Sequence, residues 1–331
     1  MSGIQIIGTG IHLPDFIASN EDYTKIVETS DEWITTRTGI KERRISTGEP
    51  TWVMGKQAAE LALADAGVSA AEIDMLIVTT VTPDFFSPST ACVIQGALGA
   101  CNAFAYDINC ACAGFVYSLD LAKKYLDSGE VKTVLLVSCE ELSKITNYAD
   151  RSTCVLFGDG AAACVVRKSE SMYASYLKSD GTGAGAVFAR ALSCKNPFLE
   201  IDTDQQKIDH FPDSHETDLY MNGQEVYKFA TRAMPEAVCG ACEKAGIVPG
   251  DLDVIMAHQA NYRIVETAAK KLKIPLEKCY LNIDQYGNTS SASIPIGLHE
   301  IAASGRVKRG DKVCIVGFGA GLIYGASVFT W

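Results

Sequence analysis

Three short segments carry residue types that together suit thioester chemistry. A thiol, Cys112, stands before an apolar helical run, an imidazole, His258, follows an apolar strand-like run, and an amide, Asn288, lies in a Gly-Asn turn. A cysteine sulfur can hold an acyl group, and two nitrogen donors can stabilise negative charge on the carbonyl oxygen of a second thioester. The trio predicts an acyl-transfer site.

Cys112 is the candidate nucleophile among twelve cysteines. It precedes a predicted helix, whose first turn offers unpaired N–H groups and positive partial charge that lower a thiol pKa. Small residues on both sides leave room for a ligand, whereas Cys110 falls at a predicted strand end and is expected to pack. Cys239 and Cys242 lie in one helical run without a second Cys or His pair at zinc spacing, so we expect no metal site.

The positions of His258 and Asn288 in the chain are what makes them candidate site residues. His258 follows a buried strand, and α/β proteins place chemistry at the carboxyl ends of their strands. Singly, a core histidine and a turn asparagine are the ordinary interpretations of these two residues. Together with Cys112, at the ends of matching strands, they indicate one site.

Composition limits the function classes. The 331 residues suffice for one large domain or two of about 150, and 47% hydrophobic content supports a substantial core. The net charge of −11 argues against nucleic-acid binding. The segment 4–8 is too short and glycine-broken for a signal peptide, and no run reaches transmembrane length, so we expect no membrane insertion. Twelve cysteines without such a signal predict free thiols and a cytoplasmic location.

The chain contains an internal repeat. Residues 66–67 and 73–77 resemble 245–246 and 252–256 at an offset of 179, whereas 128–132 resemble 304–308 at an offset of 176. An offset of 176 carries Cys112 onto Asn288, which predicts that the thiol and the amide occupy equivalent places.

Each copy reads as three helix–strand pairs. In the first copy, helices are predicted over 52–66, 89–98 and 112–127, and strands over 75–81, 103–108 and 133–139. This alternation predicts an α/β fold with mostly parallel sheets, duplicated into a five-layered α/β/α/β/α sandwich with pseudo-twofold halves. We expect an N-terminal half over 1–173 with the nucleophile. A C-terminal half over 174–331 would carry the histidine and asparagine, with an insertion near 183–220.

These segments resemble the β-ketoacyl-acyl carrier protein synthase III family of the thiolase superfamily. The resemblance covers essentially the whole chain. It includes the motifs at 29–34, 37–40, 157–160 and 317–321 besides the three active-site segments. It therefore supports the thiolase-like, duplicated fold.

The resemblance implies a two-step condensation that initiates fatty-acid synthesis. Cys112 would take a short acyl group from acyl-CoA, and malonyl-acyl carrier protein would then lose CO₂ and attack the Cys112 thioester. His258 and Asn288 would stabilise the enolate formed in that step. The N–H groups of Cys112 and Gly321 would form the oxyanion hole, and we expect a side chain at 321 to crowd the sulfur. No cofactor is implied, since acyl-CoA is a substrate.

The same resemblance assigns binding residues around the site. Trp33 and Arg151 would sandwich the CoA adenine, Arg37 would lie near the phosphates, and Asn261 would line the pantetheine tunnel. The basic residues implied for docking of the acidic carrier protein are Lys228, Arg263, Lys270, Lys271 and Lys273. Their alternative interpretation is a solvated helix face. A homodimer is implied, with the strand at 103–108 continuing the sheet into the partner.

Several positions depart from the family pattern and leave the starter acyl group open, with acetyl-CoA as the default. They are Ser87 before Pro88, the stretch 322–324, and the acidic insertion that holds Cys194, His210, Pro212 and His215.

Two other interpretations remain. One is a diverged relative that transfers the Cys112 acyl group to another nucleophile in secondary metabolism. The other is a non-catalytic subunit that binds acyl chains or carrier protein. A thiolase would need a second cysteine in the C-terminal glycine turn, where 317–319 is Gly-Phe-Gly.

Overall fold

The computed structural model describes residues 2–192, 197–198, 211–212 and 218–331. The strands are β1 (Gly3–His12), β2 (Ile17–Ser19), β3 (Glu42–Arg44), β4 (Met75–Thr79), β5 (Phe104–Ile108), β6 (Thr133–Glu140), β7 (Gly160–Ser169), β8 (Tyr173–Ser179), β9 (Val187–Phe188), β10 (Tyr220–Met221), β11 (Val254–Ala257), β12 (Cys279–Tyr280), β13 (Lys312–Gly319) and β14 (Ile323–Thr330). The helices are α1 (Asn20–Tyr23), α2 (Asp31–Thr38), α3 (Thr51–Ala66), α4 (Thr90–Leu98), α5 (Gly114–Ser128), α6 (Arg151–Cys154), α7 (Gly223–Ala245), α8 (Tyr262–Leu272), α9 (Ile283–Tyr286) and α10 (Ser293–Ala303).

Two five-stranded sheets share one topology. Their strand orders are β1-β7-β6-β4-β5 and β8-β14-β13-β11-β12, so each strand of the first sheet has a counterpart in the second. Each sheet is parallel except for one strand, β7 or β14, which runs antiparallel to its neighbours. The predicted duplication is therefore present in the fold.

Helices fill the three remaining layers. α5 and α10 lie between the sheets, where Phe115 and Ile294 belong to one buried cluster with residues of both sheets. α3 and α4 cover the outer face of the first sheet, and α7 and α8 cover that of the second. The predicted five-layered sandwich is confirmed.

The structure corrects the proposed equivalence of Cys112 and Asn288. A 3₁₀ turn, Ala111–Ala113, leads into α5, and a second, Ser290–Ala292, leads into α10, at an offset of 179. Their first residues, Ala111 and Ser290, share left-handed φ values of 45° and 49°. The counterpart of Cys112 is thus Ser291, and Asn288 lies three residues earlier. The offset falls to 176 only after α10, which is shorter than α5.

The chain passes from the first sheet to the second between Ser169, the end of β7, and Tyr173, the start of β8. The predicted boundary after residue 173 therefore falls one residue into β8. Within the predicted insertion, β9 pairs antiparallel with β10, and Pro212 is half-buried. Cys194, His210 and His215 lie outside the described residues. In the described part of the chain, no helix combines the length and apolar character needed to cross a membrane.

Candidate active site

Cys112, His258 and Asn288 line one cavity of about 760 Å³. Each lies where a strand of one of the two sheets ends or an inner helix begins, so the seam between the halves brings them together. Most of the other lining side chains are apolar, among them Leu142, Phe157 and Phe318. The arrangement can hold a thioester beside a thiol and two side chains with N–H groups.

The position of Cys112 is determined by the close approach of its turn to β13. A Cβ atom on Gly319 would lie 2.7 Å from the Cys112 backbone nitrogen, and one on Gly317 would lie 3.0 Å from the Ala113 Cα. Any other residue at these two positions would push the turn away. Gly319 is therefore the glycine that the Cys112 turn requires.

That finding corrects the argument made for Gly321. A Cβ atom there would meet only Ile323, at 3.2 Å or more, so it would not crowd the sulfur. Gly321 does adopt φ 141°, which favours glycine for conformational reasons. Its backbone N–H as an oxyanion donor stays a prediction.

The Cys112 thiol has a raised pKa. Burial raises this pKa to about 12, against the opposing effect of a hydrogen bond from Ser290, and the nearby Glu140 carboxylate contributes to the rise. The expectation that a helix start lowers the pKa is therefore wrong for the resting thiol. α5 begins only at Gly114, two residues after Cys112, and desolvation is the largest cause of the shift in the Cys112 pKa.

His258 extends β11, because its backbone N–H donates to the Val316 carbonyl at 2.8 Å. Its Nδ1 lies 2.7 Å from the Ser293 Oγ, and its ring meets the Phe318 ring edge to face at 5.3 Å. Burial lowers the His258 pKa to about 3, so the imidazole is neutral at physiological pH. Neutral imidazole donates one hydrogen bond and accepts another.

Asn288 is held by the motif at 157–160. Its N–H donates to the Leu156 carbonyl at 2.9 Å, and its carbonyl accepts from Gly158 at 3.0 Å. A Cβ atom on Gly158 would lie 2.3 Å from the Tyr286 carbonyl oxygen, which explains the glycine. The Asn288 Oδ1 accepts from the Ser290 N–H at 2.8 Å, which leaves the amide NH₂ free to donate into the cavity.

Sequence reasoning missed the groups that hold these segments. Glu140, wholly buried at the end of β6, accepts from the Ser291 Oγ at 2.5 Å and from the Val81 N–H at 2.9 Å. It thus joins the turn before α10 to the first half. Arg43, also wholly buried, donates to the Val155 carbonyl at 2.6 Å beneath the loop that pairs with Asn288. The only signal in the sequence was the position of Glu140 directly after the predicted strand 133–139, and Arg43 lay in no predicted element.

Trp33, Arg37 and Asn261 line the cavity mouth. The Arg37 and Arg151 guanidinium carbons lie 4.8 and 4.9 Å from the Trp33 ring centroid, so Trp33 already stacks with cations where an adenine is predicted. The Asn261 amide donates to the Arg37 carbonyl at 3.0 Å and accepts from the Arg263 N–H at 2.9 Å. Asn261 therefore caps α8 and ties it to α2.

Four of the five basic residues predicted for docking are exposed on α7 and α8, which pack together: Lys228, Arg263, Lys270 and Lys271. Lys270 pairs with Glu266 at 3.0 Å, and Lys271 donates to the Thr231 carbonyl at 2.9 Å. Lys228 and Arg263 form no ion pair with any described residue. Lys273 ends α8 in a left-handed conformation.

Comparisons with known proteins identify the family of this chain. Two family models match, the 3-oxoacyl-[acyl-carrier-protein] synthase III domain over residues 106–192 and its C-terminal domain over 242–331. A β-ketoacyl-[acyl-carrier-protein] synthase III of Clostridium acetobutylicum is 45% identical to this chain, and the alignment covers 100% of this chain and 99% of the relative. One from Caldanaerobacter subterraneus is 46% identical over 98% and 97%.

Solved structures give the same result. The 3-oxoacyl-[acyl-carrier-protein] synthase III of Aquifex aeolicus superposes with a TM-score of 0.91 at 43% identity and covers 99% of this chain and 100% of its own. The structure from Thermus thermophilus gives a TM-score of 0.90 at 42% identity over 98% of both chains. With full-length relatives far above 30% identity and a matching fold, this chain belongs to the β-ketoacyl-acyl carrier protein synthase III family.

Proposed function

We propose that this chain condenses a short acyl group from acyl-CoA with malonyl-acyl carrier protein, giving a β-ketoacyl-acyl carrier protein and starting fatty-acid synthesis. The observation that carries the proposal is the convergence of Cys112, His258 and Asn288 on one apolar cavity in a member of this family. A thiol alone would serve many reactions. A thiol with two separate N–H-bearing groups suits one that handles two thioesters.

In the first half-reaction, the Cys112 sulfur attacks the acyl-CoA carbonyl. The new S–C bond forms, the bond to the CoA sulfur breaks, and the thiol proton ends on CoA. Because the resting thiol is neutral, its proton leaves as the substrate binds and reacts. The Cys112 N–H, with that of Gly321 as the predicted second donor, stabilises the oxyanion.

In the second half-reaction, the malonyl group of the carrier thioester loses CO₂. The electron pair of the broken bond moves onto the thioester oxygen, where His258 and Asn288 donate hydrogen bonds. The resulting carbanion attacks the acyl carbon on Cys112, the C–S bond breaks, and the leaving thiolate takes a proton from solvent. A neutral His258 suits this step, because a cationic one would pair with the malonyl carboxylate and stabilise it before CO₂ is lost.

Both half-reactions proceed with side chains and backbone groups, and we propose that the protein uses no cofactor. Acyl-CoA enters as a substrate, with its adenine between Trp33 and Arg151 and its phosphates near Arg37. Support comes from Trp33 and Arg37, which line the cavity. Arg151 lies over the Trp33 ring at 4.9 Å and would have to move aside to admit the adenine. Asn261, which lines the same mouth, would contact the pantetheine arm.

The acidic carrier protein is proposed to dock on α7 and α8. Lys228 and Arg263 provide exposed positive charge that no described residue pairs, although the whole chain is acidic at −11. Lys270 and Lys271 would add to the field of this surface, while their own hydrogen bonds already fix their positions. Local complementarity of this kind guides encounter more than it adds affinity.

We further propose a cytoplasmic homodimer. β5 is an edge strand of the first sheet, and 45% of the Phe104 surface on it is exposed, which suits continuation of the sheet into a partner. Phe85 and Phe86 are exposed as well. The eleven cysteines among the described residues are free thiols, which suits a reducing compartment.

The function is tested by intact mass after incubation with a panel of acyl-CoAs, followed by malonyl-acyl carrier protein. We expect one acyl adduct per chain, then loss of that adduct with formation of β-ketoacyl carrier protein. Cys112→Ala gives no adduct, whereas Cys110→Ala, its neighbour in the same cavity, does. A stable adduct that malonyl carrier protein cannot discharge would contradict condensation and favour transfer to another nucleophile.

The His258 charge state gives a second prediction. Its folded pKa of about 3 lies below the ordinary value of 6.5, so the imidazole ring signals should not titrate between pH 8 and pH 5. Because the unfolded chain binds this proton below pH 6.5 and the folded chain does not, His258 lowers stability as the pH falls. Nuclear magnetic resonance titration, with His258→Gln for assignment, checks this. A midpoint near 6.5 would refute the buried, neutral histidine.

Docking is tested by charge reversal at Lys228 and Arg263 together. The double Glu variant should raise KM for malonyl-acyl carrier protein several-fold at low salt and leave acylation of Cys112 by acyl-CoA unchanged. The difference should shrink in 1 M salt, where charges are screened beyond about 3 Å. Lys308→Glu, an exposed change at the opposite end of β13, is the control. An equal effect of both substitutions would place docking elsewhere.

A further inference from the structure

His258 and Ser293 form an isolated polar pair behind the cavity wall. The His258 Nδ1 and the Ser293 Oγ are 2.7 Å apart, and the two residues are 1% and 2% exposed. Since Nδ1 is taken by this contact, Nε2 is the ring nitrogen left for the cavity. A neutral imidazole carries one N–H, so the Ser293 contact decides whether Nε2 donates or accepts.

The Ser293 hydroxyl has one proton and two acceptors within reach. One is the His258 Nδ1, and the other is the Ser290 carbonyl at 2.9 Å. That carbonyl already accepts from the backbone N–H of Ser293. The hydroxyl proton can therefore go to the nearer acceptor, Nδ1, without leaving the Ser290 carbonyl unsatisfied.

The remaining neighbours agree with this direction. The Gln259 N–H donates to the Ser293 Oγ at 3.4 Å, so this oxygen accepts a hydrogen bond from the backbone. On another side of the imidazole, the edge-to-face Phe318 ring brings no polar atom that could compete for Nδ1. A hydroxyl that accepts from one neighbour donates readily to the next.

We propose that Ser293 is a positioning residue that donates to the His258 Nδ1 and thereby keeps the single imidazole proton on Nε2, facing the cavity. The inference rests on the proposed function, in which His258 donates to the enolate oxygen of the malonyl thioester. Ser293 itself touches no substrate. Its effect is confined to the half-reaction that uses His258.

The test measures both half-reactions in the same variants. In Ser293→Ala, acylation of Cys112 by acyl-CoA should match the wild type, while CO₂ release from malonyl-acyl carrier protein by the acylated enzyme should fall about 10- to 100-fold. Ser293→Thr keeps the hydroxyl and should restore most of the lost rate. Equal losses in both half-reactions, or no loss in either, would overturn the proposal.

Nitrogen-15 spectra of the His258 ring provide a readout that does not depend on turnover. The wild type should show the proton on Nε2 alone, and Ser293→Ala should show a mixture of tautomers. A proton on Nδ1 in the wild type would overturn the proposal even if Ser293→Ala were slow. Thermal melting of each variant establishes that it is folded.

Ser118→Ala is the matched control. Ser118 is also buried on an inner helix, and its hydroxyl donates to the carbonyl three residues earlier, that of Phe115, at 2.9 Å. It has no histidine partner, so neither half-reaction should change. A wild-type enzyme that fails both half-reactions would instead refute the proposed function. Failure of the Ser293 proposal is thus distinguishable from failure of the proposed function.

Discussion

The close approach of the Cys112 turn to β13 is the contact on which the rest of the site depends. Gly317 and Gly319 bring the backbone of one half against the turn of the other at distances that a side chain would forbid. Cys112 comes from the first half, whereas His258 and Asn288 come from the second. Without this contact, the Cys112 turn would not lie beside β13 and the residues that line the cavity with it.

The same seam removes the reacting groups from water. Burial raises the Cys112 pKa and lowers the His258 pKa, so both groups are neutral at rest. Hydrogen-bond donors are worth more in such a place than in solvent, because no water competes for the developing charge. Glu140 and Arg43 are buried beside the same groups. Their side chains form hydrogen bonds that hold the segments around the site in place.

Much of this could be predicted from the sequence, because periodicity and strand-end position are local signals. The duplication, the five layers and the trio of Cys112, His258 and Asn288 all depend on such signals. The family resemblance rests on motifs that include the loop at 157–160, whose task is to hold Asn288. The preference for Cys112 over Cys110 rests on where a strand ends and a helix begins and stays a prediction; Cys110, expected to pack, is half-buried and lines the same cavity.

The rest depends on how the halves meet, which no local pattern contains. The pKa of Cys112 follows from desolvation in the assembled seam, and it reverses the direction that the helix start alone suggests. Gly319 rather than Gly321 faces the Cys112 turn because of the path of β13. Ser293 reads as a helix residue in the sequence, and only the packed structure places its hydroxyl on His258.

The central claim is that the thiol and the asparagine serve different half-reactions in one cavity. The most direct measurement is CO₂ release from malonyl-acyl carrier protein by enzyme already acylated on Cys112, comparing wild type, Asn288→Ala and Asn288→Asp. Asp keeps the oxygen that accepts from the Ser290 N–H and loses only the amide donor. The account predicts wild-type acylation in both variants and decarboxylation slower by about 10²- to 10³-fold. Variants that decarboxylate normally, or that fail to accept the acyl group, would contradict it.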